Sequence, residues 1–245
     1  MKAILFDFGG TLDTNGLHWS EKFWSVYQDY HVPISKGEFE VAYVAAESTM
    51  AIRGVAASYD LLRTLKDQVD LQFEKLHKSN LLRSNVSSEL PSLIARTCCK
   101  DVEKTVSDLR PLLLALGRKL GLALVSNFYG NLDTVCRELE IAQIFNAIID
   151  SAVVGIRKPD PRIFETALDG LHIAPSQATV VGDSYERDIV PAKSIGCATI
   201  WLRGKSWQTP QVGDKADFIV NRLEEIPEIL KIYMPNSTSH RRENA

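Results

Sequence analysis

Reactive side chains in this sequence follow short apolar runs. They are Asp7 after Ala3–Phe6, Ser126 after Leu122–Val125, and Asp183 after Thr179–Gly182. A carboxylate such as Asp7 attacks phosphorus only if the negative charges of both groups are offset, so this chemistry needs a divalent cation beside it. Asp183 and Asp188 offer further carboxylate oxygens, and hard oxygen ligands that leave room for water and phosphate favour Mg²⁺. Taken singly, each of these residues also fits a turn or a helix cap.

The first apolar run is the element that must position Asp7. Lys2–Phe6 leads into Asp7 and the glycines Gly9 and Gly10, which is typical of a buried strand followed by a tight loop. Ligands bind at the carboxyl ends of the strands in open α/β sheets. The pattern therefore places Asp7 in a candidate site, although a strand-ending turn explains this stretch equally well on its own.

The composition is that of an ordinary globular protein. Its 245 residues, 45% hydrophobic and 24% charged, suffice for one large domain or for a core domain with a smaller one. A net charge of −3 with interspersed acids and bases indicates no nucleic-acid partner. No apolar run approaches the roughly 18 residues of a membrane span, and the short run before Asp7 does not fit a signal peptide. The cysteines lack paired spacing, which favours buried thiols and a cytoplasmic location. They are Cys98, Cys99, Cys136 and Cys197.

Strands and helices alternate after Pro111, which predicts an α/β fold with a parallel sheet. The expected strands are Leu122–Val125, Ala147–Ile149, Thr179–Val181, Ala198–Leu202 and Phe218–Val220. The expected helices are 112–120, 133–139, 162–169, 188–194 and 223–232. Lys158 lies in the predicted loop 155–161, and the polar tail 236–245 is predicted to be disordered.

Residues 16–108 contain no strand pattern. Ser20 is a candidate helix cap, Ser35 and Glu38 have capping-box spacing, and Ser58 precedes a long segment with leucines at helical spacing. We predict four or five helices at 16–108, inserted into an α/β core made of residues 1–15 and 109–235.

Four motifs follow one another along the chain, and they are Asp7-Phe8-Gly9-Gly10-Thr11, Ser126, Lys158-Pro159, and Gly182-Asp183-Ser184 followed by Asp188. These motifs and their order resemble those of the haloacid dehalogenase-like (HAD) hydrolase superfamily. The resemblance implies a Rossmann-like core, and the helical insertion resembles the family's first type of cap. It also implies a hydrolase that uses Mg²⁺ and acts on a small phosphorylated metabolite.

The resemblance implies a role for each matching acid. Asp7 is the expected nucleophile, which would form an aspartyl-phosphate. The expected metal ligands are Asp7, the backbone carbonyl of Gly9, Asp183 and, directly or through water, Asp188.

The resemblance also implies a phosphate site. Ser126 is expected to hydrogen-bond a phosphate oxygen, and Lys158 is expected to bridge the phosphate and Asp7 while it stabilises the transition-state charge. The other predicted phosphate contacts are the backbone amides of Gly10 and Thr11 and the side chain of Asn127.

Gly9 departs from the family's phosphatase pattern. Most such phosphatases carry a second aspartate here, which protonates the leaving group and then activates the water that cleaves the aspartyl-phosphate. Glycine moves no proton, and general acid–base help of this kind is worth roughly 10² to 10⁴ in rate. Either another group replaces it, with Asp13, His18 and Glu47 as candidates, or turnover is slow and favours good leaving groups.

Three other functions stay open. A dehalogenase also lacks the second aspartate, but that branch replaces the metal-binding acids that this sequence keeps at 183 and 188. A phosphonate-cleaving branch uses a cap lysine that forms a Schiff base. The insertion contains Lys22, Lys36, Lys66, Lys75 and Lys78, and the sequence singles out none of them. A non-catalytic protein that binds phosphate ligands or a partner would also explain Gly9.

The insertion is expected to select the substrate. Its aromatic residues fit either a pocket or the interior of the insertion, and they include Trp19, Phe23, Trp24 and Tyr43. Arg53, beside Gly54 at a break between helices, suits a carboxylate or a second phosphate. Tyr129–Gly130 and Tyr185–Arg187 lie near the expected mouth of the site. The sequence identifies neither the substrate nor the oligomeric state.

Overall fold

The computed structural model describes residues 1–82, 87–205 and 216–233. Within these ranges the strands are β1 (Ala3–Phe6), β2 (Gly121–Ser126), β3 (Ala147–Asp150), β4 (Ala178–Gly182), β5 (Ala198–Leu202) and β6 (Phe218–Val220). They form one parallel sheet in the order β3-β2-β1-β4-β5-β6. The predicted α/β class and the predicted strands are confirmed. The predicted disordered tail, 236–245, lies outside the described residues.

The helices surround this sheet and form the insertion. They are α1 (Trp19–Asp29), α2 (Lys36–Arg53), α3 (Leu61–Lys78), α4 (Leu90–Gly117), α5 (Leu132–Glu138), α6 (Ser151–Val154), α7 (Arg162–Leu171), α8 (Val190–Ser194) and α9 (Ile226–Tyr233). Wide helical turns at Phe8–Leu12 and Tyr185–Ile189 follow β1 and β4. In the part of the chain described, no helix combines the length and apolarity needed to cross a lipid bilayer.

Helices cover both faces of the sheet. Ile4 and Phe6 of β1 pack in one core with α4, α5 and α9, whereas Ala3 and Leu5 pack in a second core with α7 and α8. Successive side chains of a strand point to opposite faces, so a strand covered on both sides needs an apolar residue at every position. This explains why β1 has the continuous apolar sequence that predicts it.

The order of the strands creates a crevice beside β1. The chain adds β2 and β3 on one side of β1 and then returns to add β4, β5 and β6 on the other side. Such a reversal leaves a crevice at the carboxyl ends of the two strands that flank it. Phe6 pairs with Leu124 of β2 and with Val181 of β4. The residues that follow these three strands therefore reach the same edge of the sheet.

Helix α4 corrects the prediction that a new helix begins at residue 112. It runs unbroken from Leu90 to Gly117 and contains Pro111. Proline within a helix removes a hydrogen bond and costs about 3 kcal/mol, but α4 buries Leu109 and Leu113 on either side of Pro111, and this burial offsets the cost. The predicted boundary between 108 and 109 falls inside α4, and the division into core and insertion stays a prediction.

Side-chain caps set the starts of the inserted helices. Ser35 and Glu38 form the predicted capping box of α2. The prediction of a cap at Ser20 is wrong, because the ring of His18 accepts the Ser20 N–H and α1 begins at Trp19. Helix α3 begins after Asp60, whose carboxylate accepts the Arg63 N–H. Adjacent polar residues compete for each cap, and the sequence does not show which side chain turns toward the helix.

The remaining helices differ from prediction mainly at their ends. The predicted helices 133–139 and 162–169 correspond to α5 and α7, whereas α8 and α9 begin later than predicted because tighter or wider turns precede them. The sequence pattern does not predict α6, a single turn capped by Asp150.

Asn131 joins the insertion to the core. Its side chain is buried, and the side-chain nitrogen donates to the Tyr59 carbonyl at 2.9 Å and to the Thr64 hydroxyl at 2.7 Å. We expect Asn131→Ala to lower the free energy of unfolding by about 1 to 3 kcal/mol, because it leaves these partly or fully buried acceptors unpaired. Urea denaturation measures the change. Thr134→Val is the control, since Thr134 contacts the insertion from a partly exposed position, and an equal loss in both variants would contradict the prediction.

Candidate active site

Three carboxylates and one ammonium group meet at the edge of the sheet beside β1 and β4. One oxygen from each of Asp7, Asp183 and Asp188 lies within 4.8 Å of the others. The ammonium group of Lys158 donates to Asp7 Oδ1 and to Asp188 Oδ1, both at 2.6 Å. The structure thus brings together four predicted site residues that are far apart in the sequence.

Asn127 fixes the backbone of Lys158. Its side-chain oxygen accepts the Lys158 N–H at 2.8 Å, and its side-chain nitrogen donates to the Lys158 carbonyl at 3.0 Å. The following peptide bond, to Pro159, is cis. These contacts indicate that Asn127 positions Lys158. The phosphate contact of Asn127 stays a prediction.

Two glycines allow the carboxylates to approach the backbone. Gly10 has a positive φ of 84°, and a Cβ atom there would lie 2.5 Å from Asp183 Oδ2. A Cβ atom at Gly182 would lie 2.3 Å from Asp188 Oδ2. Any larger residue at either position would displace a carboxylate of the cluster.

Thr11 links the first and last motifs through its hydroxyl group. The hydroxyl lies 3.2 Å from Asp7 Oδ2 and accepts the Asp183 N–H at 3.1 Å. Ser126, the last residue of β2, is buried and faces the same space. The Gly10 N–H, one of the two predicted phosphate contacts of this loop, donates instead to Asp13 Oδ1 at 2.7 Å.

The carboxylates outnumber the cation that neutralises them. Burial raises the pKa of Asp183 well above its usual range, and the neighbouring Asp7 and Asp188 raise it further. Burial also raises the pKa of Asp188 to about 6, although Lys158 opposes this. Burial lowers the pKa of Lys158, but the adjacent Asp188 and Asp7 outweigh it and leave the pKa above its ordinary value. A divalent cation would offset the excess negative charge, and a set of carboxylate oxygens fits Mg²⁺.

A cavity of about 850 Å³ lies between this cluster and the insertion. The core contributes Asp7, Ser126 and Lys158 to its wall, and the insertion contributes Tyr43 and Glu47. Its volume lies in the range of pockets that hold small molecules. The acidic cluster therefore lies at the end of a pocket that a small substrate can enter.

Comparison with known families agrees with this geometry. A sequence model of the haloacid dehalogenase-like hydrolases matches residues 1–196. This chain belongs to the haloacid dehalogenase-like hydrolase family. The resemblance based on the four motifs is thereby confirmed, and so is the prediction that the protein is a hydrolase of this family with a Rossmann-like core.

Curated relatives of this HAD hydrolase match it over part of their length. Glyceraldehyde 3-phosphate phosphatase of Pyrococcus furiosus is 33% identical over 95 residues, which are 38% of this chain and 40% of that protein. Phosphoserine phosphatase of Thermus thermophilus is 35% identical over 117 residues, which are 46% of each protein. The chain thus spans less than half the length of these relatives.

A solved structure of similar fold covers nearly the whole chain. L-2-haloacid dehalogenase from Xanthobacter autotrophicus superimposes with a TM-score of 0.62 at 16% identity, covering 94% of this chain and 98% of that one. At this identity the likeness shows the fold alone.

The aromatic residues of the insertion divide between the pocket and the interior. Trp19 and Tyr43 line the cavity of the HAD hydrolase, as do Tyr129, Tyr185 and Arg187. Phe23 is fully buried within the insertion, and the ring of Trp24 packs 5.5 Å from that of Phe39. The indole N–H explains the position of Trp19, because it donates to Asp13 Oδ2 at 2.7 Å.

Other residues that were predicted in or near the substrate site are not among the described residues that line the cavity. Arg53 pairs with Asp67 at 3.0 Å, away from the described wall of the cavity. The Gly130 N–H donates to Asp150. None of the five lysines considered for a Schiff base is among the described residues that line the cavity. These lysines are Lys22, Lys36, Lys66, Lys75 and Lys78.

Three groups that line the cavity are candidates to replace the missing acid at Gly9, and of these Asp13 is buried while His18 and Glu47 are partly exposed. Burial raises the pKa of Asp13 to about 7, although hydrogen bonds from Trp19 and Gly10 oppose it. Burial, with the nearby Arg187, lowers the pKa of His18 to about 4. Burial raises the pKa of Glu47, whose carboxylate accepts hydrogen bonds from Tyr129 and Gln68.

The raised pKa of Asp13 predicts a pH-dependent loss of stability. An acid with a pKa of about 7 when folded and 3.8 in an exposed state binds its proton more tightly in the folded protein. The contribution of Asp13 to the stability of the wild type therefore decreases as the pH rises from about 4 to 7. Relative to the wild type, Asp13→Asn should gain about 2 to 3 kcal/mol between pH 5 and pH 8, because asparagine does not titrate.

Urea denaturation at the two pH values measures this difference. Asp169→Asn makes the same chemical change at an exposed position on α7, and its effect on stability should not depend on pH in this range. A pH-independent effect of Asp13→Asn would contradict the prediction.

Proposed function

We propose that this HAD hydrolase is a Mg²⁺-dependent phosphatase that cleaves a small phosphorylated metabolite through an aspartyl-phosphate on Asp7. The observation that carries the proposal is the position of Asp7, which faces the cavity with the Lys158 ammonium at 2.6 Å and two further carboxylates close by. The relatives named as phosphatases support the same class of substrate.

Asp7 would act as the nucleophile in the first step. An oxygen of Asp7 bonds to phosphorus while the bond between phosphorus and the leaving oxygen breaks. Lys158 and Ser126 would hold the phosphate oxygens, and the Lys158 ammonium group would stabilise the charge that develops on them. Water then attacks the aspartyl-phosphate, releases phosphate and restores Asp7.

The donor set is suited to the metal that this reaction requires. Asp7, Asp183, Asp188 and the backbone carbonyl of Gly9 would hold Mg²⁺, and Asn127 would act by positioning Lys158. When bound, the ion offsets the negative charges of the nucleophile and the phosphate.

The alternatives receive less support from the site. Asp183 and Asp188 lie beside Asp7. A metal-dependent reaction requires these acids, whereas the dehalogenase hypothesis does not. Among the described residues that line the cavity is Lys158 of the core, which is paired with two carboxylates. None of the lysines considered for a Schiff base is among them. The complete acidic cluster favours turnover over a purely binding role.

We also propose a cytoplasmic location, on the basis of the cysteines. The four cysteines are free and buried, which supports a cytoplasmic location, where thiols stay reduced.

Phosphate release tests the proposal. The wild type should release phosphate from p-nitrophenyl phosphate, and from at least one member of a panel of phosphorylated metabolites, only when Mg²⁺ is present. Asp7→Asn is the blank for contaminating phosphatases. Absence of Mg²⁺-dependent release from every substrate, or equal release by Asp7→Asn, would overturn the proposal.

A further inference from the structure

We propose that Asp13 is the proton-transfer residue of this enzyme: it protonates the leaving oxygen and then takes a proton from the water that cleaves the aspartyl-phosphate. This inference rests on the proposed phosphatase function. It assigns the step for which Gly9 has no side chain.

The carboxylate of Asp13 adjoins the space beside Gly9. A Cβ atom at Gly9 would lie 3.9 Å from Cδ1 and Nε1 of the Trp19 indole. The same Nε1 atom donates to Asp13 Oδ2 at 2.7 Å. One indole nitrogen therefore borders both the space that a side chain at Gly9 would occupy and the carboxylate that we assign in its place.

The loop that carries the nucleophile also fixes Asp13. The wide turn Phe8–Leu12 brings the Asp13 N–H to within 3.2 Å of the Phe8 carbonyl, so the loop folds back on its start. The Gly10 N–H donates to Asp13 Oδ1 at 2.7 Å. Asp7 and Asp13 thus lie at the two ends of one short turn, and both line the cavity.

Two donors hold the carboxyl group of Asp13 in a defined orientation. The Gly10 N–H contacts one oxygen and the Trp19 indole N–H contacts the other, and the side chain is 1% exposed in total. Its pKa of about 7 makes both the acid and the carboxylate available near neutral pH, which a residue that acts first as an acid and then as a base requires.

The two rival groups are held by the insertion. The His18 ring accepts the Ser20 N–H and contacts the Ser20 hydroxyl at 2.7 Å, and it forms the cap of α1. Glu47 lies on α2, where Tyr129 donates to it at 2.8 Å across the cavity. Neither group is attached to the loop that carries Asp7, whereas Asp13 is part of it.

The proton balance closes over the two steps. In the first, the bond from an Asp7 oxygen to phosphorus forms, the bond from phosphorus to the leaving oxygen breaks, and the proton of Asp13 passes to that oxygen. In the second, the oxygen of water bonds to phosphorus, the bond to Asp7 breaks, and the carboxylate of Asp13 takes a proton from the water. Phosphate leaves and Asp13 ends protonated, as it began.

Rapid kinetics with two substrates of different leaving groups tests the assignment. With Mg²⁺ and an alkyl phosphate, Asp13→Asn should lower kcat by about 10² to 10³, because the poor leaving group then departs without a proton. With p-nitrophenyl phosphate the same variant should release about one equivalent of nitrophenolate in a burst and then turn over slowly. Mass spectrometry of the quenched variant should detect a phosphoryl group on the protein.

Glu47→Gln is the matched control, since it neutralises a carboxylate that lines the cavity outside the acidic cluster. It should show no burst and no phosphorylated protein. A burst with Glu47→Gln instead of Asp13→Asn would overturn the assignment. Wild-type rates in Asp13→Asn on both substrates, or an equal loss on both without a burst, would also overturn it.

Trp19→Phe provides a second variant in case Asp13→Asn does not fold. It keeps the carboxyl group of Asp13 and removes one of the two donors that orient it. In single-turnover kinetics, transfer of the phosphoryl group to the protein should slow about tenfold with the alkyl phosphate and less with p-nitrophenyl phosphate, because only the alkyl leaving group needs a proton to leave. Equal slowing of this first step with both substrates would contradict the assignment. If the wild type lacks Mg²⁺-dependent activity altogether, the phosphatase proposal itself fails, and the two failures are thereby distinguished.

Discussion

Replacing Asp7 by asparagine is expected to abolish turnover, with a loss of at least about 10⁵ in kcat/KM, because removal of the nucleophile of a covalent mechanism removes the reaction path itself. The amide has the shape of the carboxylate, and its oxygen can still accept the hydrogen bond from the Lys158 ammonium group. The variant also removes the Asp7 charge, which raises the pKa of Asp183 and of Asp188. The folded state should therefore be at least as stable as the wild type in the absence of Mg²⁺.

Phosphate release and thermal unfolding measure these two effects. Asp29→Asn is the control, because it makes the same change at the exposed end of α1 and should leave both activity and melting temperature unchanged. Residual Mg²⁺-dependent activity of Asp7→Asn above about one part in 10⁵ would contradict the role of Asp7 as nucleophile. A lower melting temperature would contradict the electrostatic argument and leave the kinetic one intact.

The acidic cluster could be predicted from the sequence because each member is attached to a regular element. Asp7 and Asp183 follow β1 and β4, which are buried throughout and pair in register. Once the strands are parallel and adjacent, their carboxyl ends meet at one edge. Periodicity and strand order therefore determine these positions without knowledge of any side-chain contact.

Contacts that depend on side-chain direction could not be predicted in this way. The sequence allows Trp19 to line a pocket or to fill the insertion, and the outcome depends on the Asp13 carboxylate that accepts its N–H. A buried indole nitrogen needs a hydrogen-bond partner. An indole six residues after an acid is therefore the sequence signal that identifies this pair. Asn127 is similar, since its contact with Lys158 depends on a loop that is distant in the sequence.

The continuity of α4 shows a different limit. Pro111 predicts a break because proline lacks the N–H that the helix needs. The helix continues because residues before and after Pro111 enter the same core, including Val106 and Leu113. Tertiary packing overrides a local preference here, and a single sequence gives no measure of that packing.

Replacing Lys158 by methionine is expected to damage both stability and catalysis. The side chain is 3% exposed, and its ammonium group contacts Asp7 and Asp188 at 2.6 Å. Methionine fills a similar volume but leaves these carboxylates, together with Asp183, without a buried cation. Breaking a buried charge network in this way costs about 3 to 5 kcal/mol in free energy of unfolding. We also expect kcat/KM to fall by about 10³ to 10⁵, the effect of removing a cation that stabilises a transferring phosphoryl group.

Mg²⁺ should separate the two losses. A divalent cation bound to the carboxylates offsets part of their repulsion and stabilises the folded state by its binding free energy, so Mg²⁺ should restore stability to Lys158→Met more than to the wild type. It should not restore activity, since Lys158 also acts on the phosphate. Urea denaturation and phosphate release, each with and without Mg²⁺, measure the two effects.

Lys193→Met is the control for the loss of a lysine. Lys193 pairs with Asp217 at 2.8 Å in a partly exposed position, and its replacement should cost less than about 1 kcal/mol and leave activity unchanged. If Lys158→Met were inactive yet as stable as Lys193→Met without Mg²⁺, the ammonium group would act on the substrate alone. Protonation of a carboxylate would then have to relieve the excess negative charge of the cluster. Binding of Mg²⁺ would displace that proton.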